Sequence, residues 1–344
     1  MEVAFFDAKP YDILPFEKAG AKTGVKFRFF EARLNKDTVG LSKGYDAVCV
    51  FVNDDVNAEV IDQLYLSGVK LIALRSAGYN NVDIAHAFKK IHVVHVPTYS
   101  PYAVAEHAMA LLLTSVRRIH KAYNRTKDFN FSLNGLTGFD LHGKTVGVIG
   151  TGRIGRIFID ICKGFGMNVL CYDKFPCIGG DLKYVGLYEL LASSDVISLH
   201  CPLTNETKHI INAEAVAKMK KGVIVVNTSR GALIDAEALL EGIKRRKIGG
   251  ACLDVYEEEA DVFFNDLSGH ILSDDLLARL ISMPNVIVTS HQAFLTEEAL
   301  SDIAEITVEN LLSFFSGEAP VKNELCYRCQ SVESCARQRK QRCF

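Results

Sequence analysis

The chain has 344 residues, of which 49% are hydrophobic and 23% are charged. This composition indicates a globular protein of about two domains and excludes a disordered chain, a fibrous repeat and a disulfide-stapled miniprotein. The 39 basic and 41 acidic residues nearly cancel, so charge does not favour nucleic acid or an anionic membrane as a partner. No apolar run reaches the roughly 18 residues of a membrane-spanning helix. The first residues lack the features of a signal peptide, so we expect a cytoplasmic protein.

Short apolar runs in the first hundred residues alternate with segments of helical periodicity. The runs predict strands at 3–6, 26–30, 47–51, 71–74 and 93–96. Continuous apolar strands that alternate with helices are typical of a parallel sheet covered on both faces. We therefore expect a first α/β domain.

A long helical pattern from about 103 to 123 follows the Ser100–Pro101 step, and Glu106 lies in an early turn, as is common at a helix start. The glycine-containing segment 128–143 then leads into a second strand series. This series is predicted at 145–149, 168–172, 196–200, 222–227, 249–253 and 286–289.

The last predicted helix, at about 297–315, is compatible with either domain, and we expect it to return to the first. The expected domains are therefore 1–100 with 297–325, and 101–296, followed by a tail at 326–344. The predicted fold is α/β, with two doubly wound parallel-sheet domains.

The strongest motif is G-x-G-x-x-G, formed by Gly150, Gly152 and Gly155 between strand 145–149 and a helical stretch at 156–165. The first glycine permits a tight turn, the second lets the backbone approach a pyrophosphate, and the third lets helix and strand pack closely. Free N–H groups and the helix dipole favour the phosphate charge. The motif predicts a dinucleotide site, although glycines also mark turns that bind nothing.

An acid at the end of the next strand refines this prediction. Asp173 follows strand 168–172, where a carboxylate accepts hydrogen bonds from a ribose and repels a 2′-phosphate. The sequence therefore favours NAD over NADP, and the neighbouring Lys174 leaves some tolerance for NADP.

Three candidate catalytic residues follow later strands, at the edge of a doubly wound sheet where ligands bind. They are Arg230, Glu259 and His291. A guanidinium can hold a substrate carboxylate and polarise the adjacent carbonyl. A histidine can give a proton to the developing alkoxide, and a carboxylate on its other nitrogen fixes its tautomer. Together they indicate conversion of a 2-oxo acid into a 2-hydroxy acid by hydride transfer.

Each of these residues also has a simpler interpretation when taken alone. Arg230 could be a surface cation, the acidic cluster 257–259 could be solvated, and a histidine after a strand is more often structural than catalytic. Their joint placement after a dinucleotide motif favours the catalytic interpretation.

Six further stretches carry a family pattern. They are RSAGYNNVD at 75–83, VPTYSPYAVAEH at 96–107, HCPLT at 200–204, VNTSRG at 226–231, LDVYE at 253–257 and HQAF at 291–294. With the glycine motif and Glu259, they resemble the D-isomer-specific 2-hydroxyacid dehydrogenases, and most closely their fermentative D-lactate branch, over about residues 1–325. The resemblance implies a flavodoxin-like substrate domain and a Rossmann NAD-binding domain.

The resemblance also implies a role for each matching residue. Arg230 would bind the substrate, and His291 would be the acid/base paired with Glu259. The backbone of Ala77 and Gly78 would bind the substrate carboxylate, with Tyr99 above it. The cofactor residues would be Arg153 and Ile154 under the pyrophosphate, Asp173 on the ribose, Cys201, Pro202 and Thr207 beside the adenosine half, and Thr228, Ser229 and Asp254 beside the nicotinamide half.

The resemblance places Phe51, Tyr99 and Phe294 around the substrate side chain. Three aromatic rings leave little volume and favour pyruvate, although Phe51 could instead pack in the core of its domain. The stretch 260–280 also resembles the lactate branch. We therefore expect NADH-dependent reduction of pyruvate to D-lactate.

Two alternatives remain open at this stage, a dehydrogenase for a bulkier 2-oxo acid and a dinucleotide-sensing protein like the corepressors that resemble this family. The compact pocket and the absence of long disordered flanks favour an enzyme. The resemblance also implies a homo-oligomer, a dimer or a tetramer, with helix 103–123 as a candidate interface.

The ten cysteines fall into two groups. Six are expected to be reduced and buried, and they are Cys49, Cys162, Cys171, Cys177, Cys201 and Cys252. The other four lie in the tail with five basic residues and one acid, and they are Cys326, Cys329, Cys335 and Cys343. Their spacing fits no common zinc or iron–sulfur pattern. We expect a disordered basic tail and no metal site, with a metal or redox role as the alternative.

Overall fold

The computed structural model describes residues 1–177, 180–258, 262–318 and 321–327. The chain forms two compact units. The first contains Met1–Ser100 and the described residues from Leu295 onward, and the second contains the described residues of Pro101–Phe294.

Within the described ranges, the first unit has a six-stranded sheet. Its strands are β1 (Glu2–Phe5), β2 (Lys26–Phe29), β3 (Ala47–Val50), β4 (Leu71–Leu74), β5 (His92–Val94) and β12 (Glu324–Leu325). The order is β12-β5-β4-β3-β1-β2. The first five strands are parallel in the flavodoxin-like order, whereas β12 pairs with β5 in the antiparallel direction. β3 and β4 are buried along their whole length, as their apolar runs predicted.

Helices cover this sheet. They are α1 (Pro10–Thr23), α2 (Ala58–Leu66), α3 (Ile84–Ala87) and α11 (Glu297–Phe315), with a 3-10 helix at Val39–Ser42. The Thr296 side chain accepts a hydrogen bond from the Ala299 N–H and begins α11, with two glutamates in the first turn. α11 belongs to the first unit and packs against α1.

The second unit has a parallel sheet in the order β11-β10-β9-β8-β6-β7. Its strands are β6 (Thr145–Ile149), β7 (Asn168–Tyr172), β8 (Val196–Leu199), β9 (Val223–Asn227), β10 (Ile248–Leu253) and β11 (Val286–Val288). Tyr184 adds a single parallel bridge beside Cys171 on β7. This is the Rossmann order with its third strand reduced to that bridge, so the strand order reverses between β6 and β8. The predicted fold class is confirmed for both units.

The helices of the second unit are α4 (Pro101–Arg117), α5 (Ile119–Lys127), α6 (Arg153–Gly164), α7 (Leu187–Ser193), α8 (Ala213–Lys218), α9 (Ala236–Lys244) and α10 (Asp275–Ser282). A 3-10 helix occupies Gly231–Leu233. None of the helices in the described ranges is both long enough and apolar enough to cross a membrane.

Two predictions from the sequence are wrong. The single helix expected at 103–123 is two helices, because Arg118 has a φ of 52°, in the left-handed region that ends α4. Cys177 is exposed, whereas the other five cysteines expected to be buried are buried. In the tail, Cys326 is described and half-buried, and the remaining tail cysteines lie outside the described residues.

Candidate active site

The turn after β6 has the geometry that its glycines predict. Gly150 has a φ of 97°, and a Cβ there would lie 2.5 Å from the backbone of His200. A Cβ on Gly155 would lie 2.0 Å from the carbonyl oxygen of Gly150. These two positions require glycine for the fold itself, since real Cβ atoms do not approach backbone so closely.

Gly152 differs from its two neighbours in the motif. A Cβ there would meet no atom within 4 Å, and its φ of −66° suits any residue. Gly152 is also the N-cap of α6, and among the described residues no side chain caps the N–H groups of the first turn, where Arg153 is exposed and Ile154 is half-buried. The open space beside uncapped N–H groups is what a pyrophosphate needs.

A crevice of about 720 Å³ opens at this turn, beside the reversal of strand order between β6 and β8. Its walls come from the ends of β6, β7 and β8 and from the loop after β8. The lining residues include Gly150, Gly152, Tyr172, Asp173, Cys201, Pro202 and Thr207. The structure thus brings most of the predicted adenosine-side residues to one cavity.

Asp173 sits in the wall of this crevice. Its Oδ2 accepts hydrogen bonds from the Thr151 N–H (2.6 Å) and hydroxyl (3.0 Å), and its Oδ1 accepts one from the Phe175 N–H (2.9 Å). Burial raises the pKa of Asp173, but these hydrogen bonds outweigh burial and hold the pKa below its ordinary value. The carboxylate is therefore ionised at neutral pH and suited to bind ribose hydroxyls.

The loop after β8 is fixed by its own hydrogen bonds. The Thr207 hydroxyl donates to the Pro202 carbonyl (2.7 Å) and accepts from the Thr204 N–H (2.8 Å). The Ser229 hydroxyl, beyond β9, donates to the Cys201 carbonyl (2.7 Å) and so ties the loop to the neighbouring strand end. Beside it, the buried hydroxyl of Thr228 has no hydrogen-bond partner within the described part of the chain.

Arg230 follows β9 and begins the 3-10 helix at Gly231–Leu233. Its Nη1 donates to the Ser229 carbonyl (2.7 Å), and its own carbonyl accepts from the Asn227 side chain (2.8 Å). The side chain is half-buried. These contacts use one corner of the guanidinium and leave further donors that can bind a carboxylate.

His291 follows β11 and is half-buried. Its φ of 53° is unusual for a residue with a side chain, and its N–H donates to the Asp254 carbonyl (2.8 Å). The Phe264 ring packs beside the imidazole, with ring centroids 5.8 Å apart. Its predicted partner Glu259 lies outside the described residues, so that pairing stays a prediction.

Asp254 holds the loop that carries His291. It follows β10 and is fully buried. Its Oδ1 accepts hydrogen bonds from the Thr289 hydroxyl (2.5 Å) and the Gln292 N–H (2.9 Å), and its Oδ2 accepts one from the Ala293 N–H (2.8 Å). The carboxylate therefore stabilises the loop that carries His291. Its predicted contact with the nicotinamide half stays a prediction.

A histidine that the sequence did not single out lies beside this carboxylate. His107 on α4 places its Nε2 3.3 Å from Asp254 Oδ1 and 3.2 Å from the Thr289 hydroxyl. Burial raises the pKa of Asp254, but hydrogen bonds that include those from His107 and Thr289 hold it below its ordinary value. No local pattern predicts this contact, because it joins a helix to two strand ends that are distant in sequence.

The substrate residues predicted in the first unit follow its strands. Phe51 directly follows β3 and is buried, with its ring centroid 4.7 Å from the guanidinium of Arg75. Ala77 and Gly78 follow β4, and their carbonyls accept hydrogen bonds from His95 Nδ1 (3.1 Å) and from the Ser76 hydroxyl (2.8 Å). Half-buried Tyr99 follows β5, and Phe294 is buried at the end of the second unit.

Sequence reasoning also missed the charged cluster around Arg75. This fully buried guanidinium donates to the Phe6 and Asp7 carbonyls (3.0 and 2.7 Å) and lies 3.6 Å from Asp12. Asp54 accepts from the Phe51 N–H (2.6 Å), and burial raises its pKa to about 6. Asp54 thus holds the backbone of Phe51, and the guanidinium of Arg75 packs on its ring.

Comparison with known proteins identifies the family. The family model for the D-isomer specific 2-hydroxyacid dehydrogenase NAD binding domain matches residues 109–293. The chain is 51% identical over 324 residues to a 2-hydroxyacid dehydrogenase homolog of Haemophilus influenzae, covering 92% of this chain and 97% of that one. It is 49% identical over 329 residues to the D-lactate dehydrogenase of Escherichia coli, covering 94% and 100%. The chain belongs to the D-isomer-specific 2-hydroxyacid dehydrogenases.

A solved structure agrees with this membership. The pyruvate reductase of Chlamydomonas reinhardtii superposes with a TM-score of 0.90 at 42% identity, covering 94% of this chain and 98% of that one. The family resemblance inferred from the sequence is confirmed, and so are the expected enzyme class and NAD as cofactor.

NAD fits the residues of this dehydrogenase. Gly152 leaves open space at the uncapped end of α6, and Asp173 presents an ionised carboxylate in the crevice wall. The hydroxyl of Thr228 is buried without a hydrogen-bond partner among the described residues, and a bound polar ligand would supply that partner.

Proposed function

We propose that the protein is a D-lactate dehydrogenase that reduces pyruvate to D-lactate with NADH. One observation of the structure carries this proposal. The dinucleotide turn after β6, Arg230 after β9 and His291 after β11 all stand at the carboxyl ends of strands of one parallel sheet. The carboxyl edge of such a sheet is where ligands bind.

Arg230 binds the substrate carboxylate and polarises the neighbouring carbonyl through its fixed donors. When bound, NADH supplies the hydride that the carbonyl carbon accepts. His291 donates a proton to the carbonyl oxygen, so the hydride and the proton together complete the reduction. Glu259 would pair with the other ring nitrogen of His291 and fix the tautomer of the imidazole.

In the first unit, Ala77 and Gly78 would offer backbone N–H groups to the carboxylate, with Tyr99 above it. Phe51, Tyr99 and Phe294 would surround the substrate side chain. Their bulk favours the methyl group of pyruvate over a longer chain. The D-lactate dehydrogenase of E. coli and the pyruvate reductase of C. reinhardtii, both similar along most of their length, support the same substrate. We assign substrate binding to 1–100 with 297–325, and NAD binding to 101–296.

A substrate panel tests the proposal. Purified protein is incubated with NADH and pyruvate, 2-oxobutyrate or 2-oxoisocaproate, and NADH absorbance is followed. We expect the highest kcat/KM with pyruvate. A preference for 2-oxoisocaproate would favour the bulkier-substrate alternative, and no oxidation with any acid would favour a dinucleotide-sensing protein.

Two wider expectations belong to the same proposal. We propose a cytoplasmic protein that acts on a small molecule, without nucleic acid or membrane as partner. We also propose a homo-oligomer, a dimer or a tetramer, that associates through the second unit. Exposed apolar side chains on α5 and on the segment that follows it support this association, and they are Ile119, Tyr123, Phe129, Phe131 and Leu133.

A further inference from the structure

We propose that His107 is a positioning residue that holds the His291 loop in its active conformation through the carboxylate of Asp254. This inference rests on the proposed function, because it takes His291 as the acid/base. It adds a residue of α4 to the three proposed catalytic residues, which follow β9, β10 and β11 in the sequence.

The hydrogen bonds around Asp254 fix the direction in which His107 acts. The Thr289 hydroxyl lies 2.5 Å from Asp254 Oδ1 and has a single proton, which it donates to the carboxylate. The lone pairs of that hydroxyl are left for His107 Nε2, 3.2 Å away. The carboxylate can only accept. Both neighbours of Nε2 therefore accept, so Nε2 carries the proton and His107 is a donor.

A buried carboxylate needs such donors. Asp254 has no exposed surface, and the side chain of His107 is itself only 19% exposed. Water therefore cannot readily replace a lost donor, and removing one leaves an under-stabilised buried charge. The same carboxylate holds the N–H groups of Gln292 and Ala293, so any shift of Asp254 is passed directly to the loop.

The conformation of His291 makes this loop sensitive to a loss of support. A φ of 53° is disfavoured for a residue with a side chain, and such a conformation persists only where its surroundings hold it. An acid/base must be placed to a fraction of an ångström. If the Asp254 carboxylate shifts, His291 can relax towards ordinary backbone angles, and its imidazole is then misplaced.

The test compares His107→Leu, which removes the donor, with His107→Gln, which keeps an N–H donor. Asp254→Asn and the double variant of Asp254→Asn with His107→Leu complete a double-mutant cycle. His120→Leu is the matched control, because it makes the same change at a pocket by the amino ends of β9 and β10. For each variant, kcat and KM for pyruvate and NADH are measured, with hydrogen exchange at residues 289–293 in the free enzyme.

We expect His107→Leu to lower kcat by about tenfold, the usual scale for a hydrogen bond to a charged group, with KM for NADH unchanged. His107→Gln should recover most of the loss. Amide exchange at 289–293 should be faster in His107→Leu and unchanged in His120→Leu. In the Asp254→Asn background, His107→Leu should lower kcat little further, because both substitutions act through the same contact.

Unchanged kcat and unchanged amide exchange in His107→Leu would overturn the proposal. Decreases in kcat that are fully additive in the double variant would also overturn it. If the native protein turns over none of the 2-oxo acids, the proposed function fails. The exchange measurement, which needs no substrate, then still decides whether His107 holds this loop.

Discussion

At the scale of a single residue, we propose proton transfer and not cofactor binding as the role of His291. It stands after β11, whereas the crevice that gathers the predicted adenosine-side residues is lined by the ends of β6, β7 and β8. Replacing His291 with glutamine keeps a polar side chain of similar reach but removes the titratable proton.

We therefore expect His291→Gln to lower kcat by about two to four orders of magnitude. The dissociation constant for NADH, measured by fluorescence titration, should be nearly unchanged. His120→Gln serves as the control and should keep native turnover. A loss of NADH affinity that parallels the loss of turnover would contradict the assigned role.

Asp173 contributes both a charge and hydrogen bonds to the crevice. Asp173→Ala should lower the ratio of kcat/KM for NADH over NADPH by about tenfold, or about 1.4 kcal/mol, because the charge that repels a 2′-phosphate is gone. Asp173→Asn is the informative partner, since it keeps an oxygen for Thr151 but loses the charge. If neither variant changes the ratio, Asp173 does not contact the ribose.

At the scale of an element, the glycines of α6 and its N-cap are expected to serve different purposes. Gly155 is required by the fold, because a Cβ would strike the Gly150 carbonyl, whereas the space beside Gly152 is open. Gly155→Ala should therefore lower the free energy of unfolding by about 1–3 kcal/mol. Gly152→Ala should leave it within about 0.5 kcal/mol of the native value and yet weaken NADH binding.

Gly164, in the last turn of the same helix, is the matched control. A Cβ there meets no atom within 4 Å, so Gly164→Ala should stabilise the protein by about 0.5–1 kcal/mol without changing NADH affinity. Chemical denaturation and NADH titration of the three variants measure both quantities. Intact NADH binding by Gly152→Ala would show that no ligand occupies the space beside α6.

The parallel strands of both sheets were predictable from the sequence, most of them because buried parallel strands are continuous apolar runs. The break at Arg118 was not, since no glycine or proline marks it. The antiparallel strand β12 has two residues, too few to show a period. At the site, Asp173 and His291 follow strands and can be found in a sequence, whereas the contact of His107 with Asp254 exists only after folding.

At the scale of the whole molecule, the described part of the second unit carries an exposed apolar segment. Phe129, Phe131 and Leu133 are 85%, 71% and 79% exposed. The segment contacts α5, because Arg125 on that helix donates hydrogen bonds to the carbonyls of Ser132 and Asn134. Large exposed side chains grouped on an ordered segment are typical of a protein interface.

We expect the native protein to sediment as a dimer or tetramer of 38.0 kDa chains, and the double variant Phe131→Ser with Leu133→Ser to sediment with a lower mass, because burial of such side chains drives association. Leu66→Ser is the control, since Leu66 on α2 is also highly exposed but belongs to the first unit, whereas the apolar segment belongs to the second. NADH titration confirms that each variant is folded. A native protein that sediments as a single chain, or a double variant that keeps the native mass, would show that this segment does not join subunits.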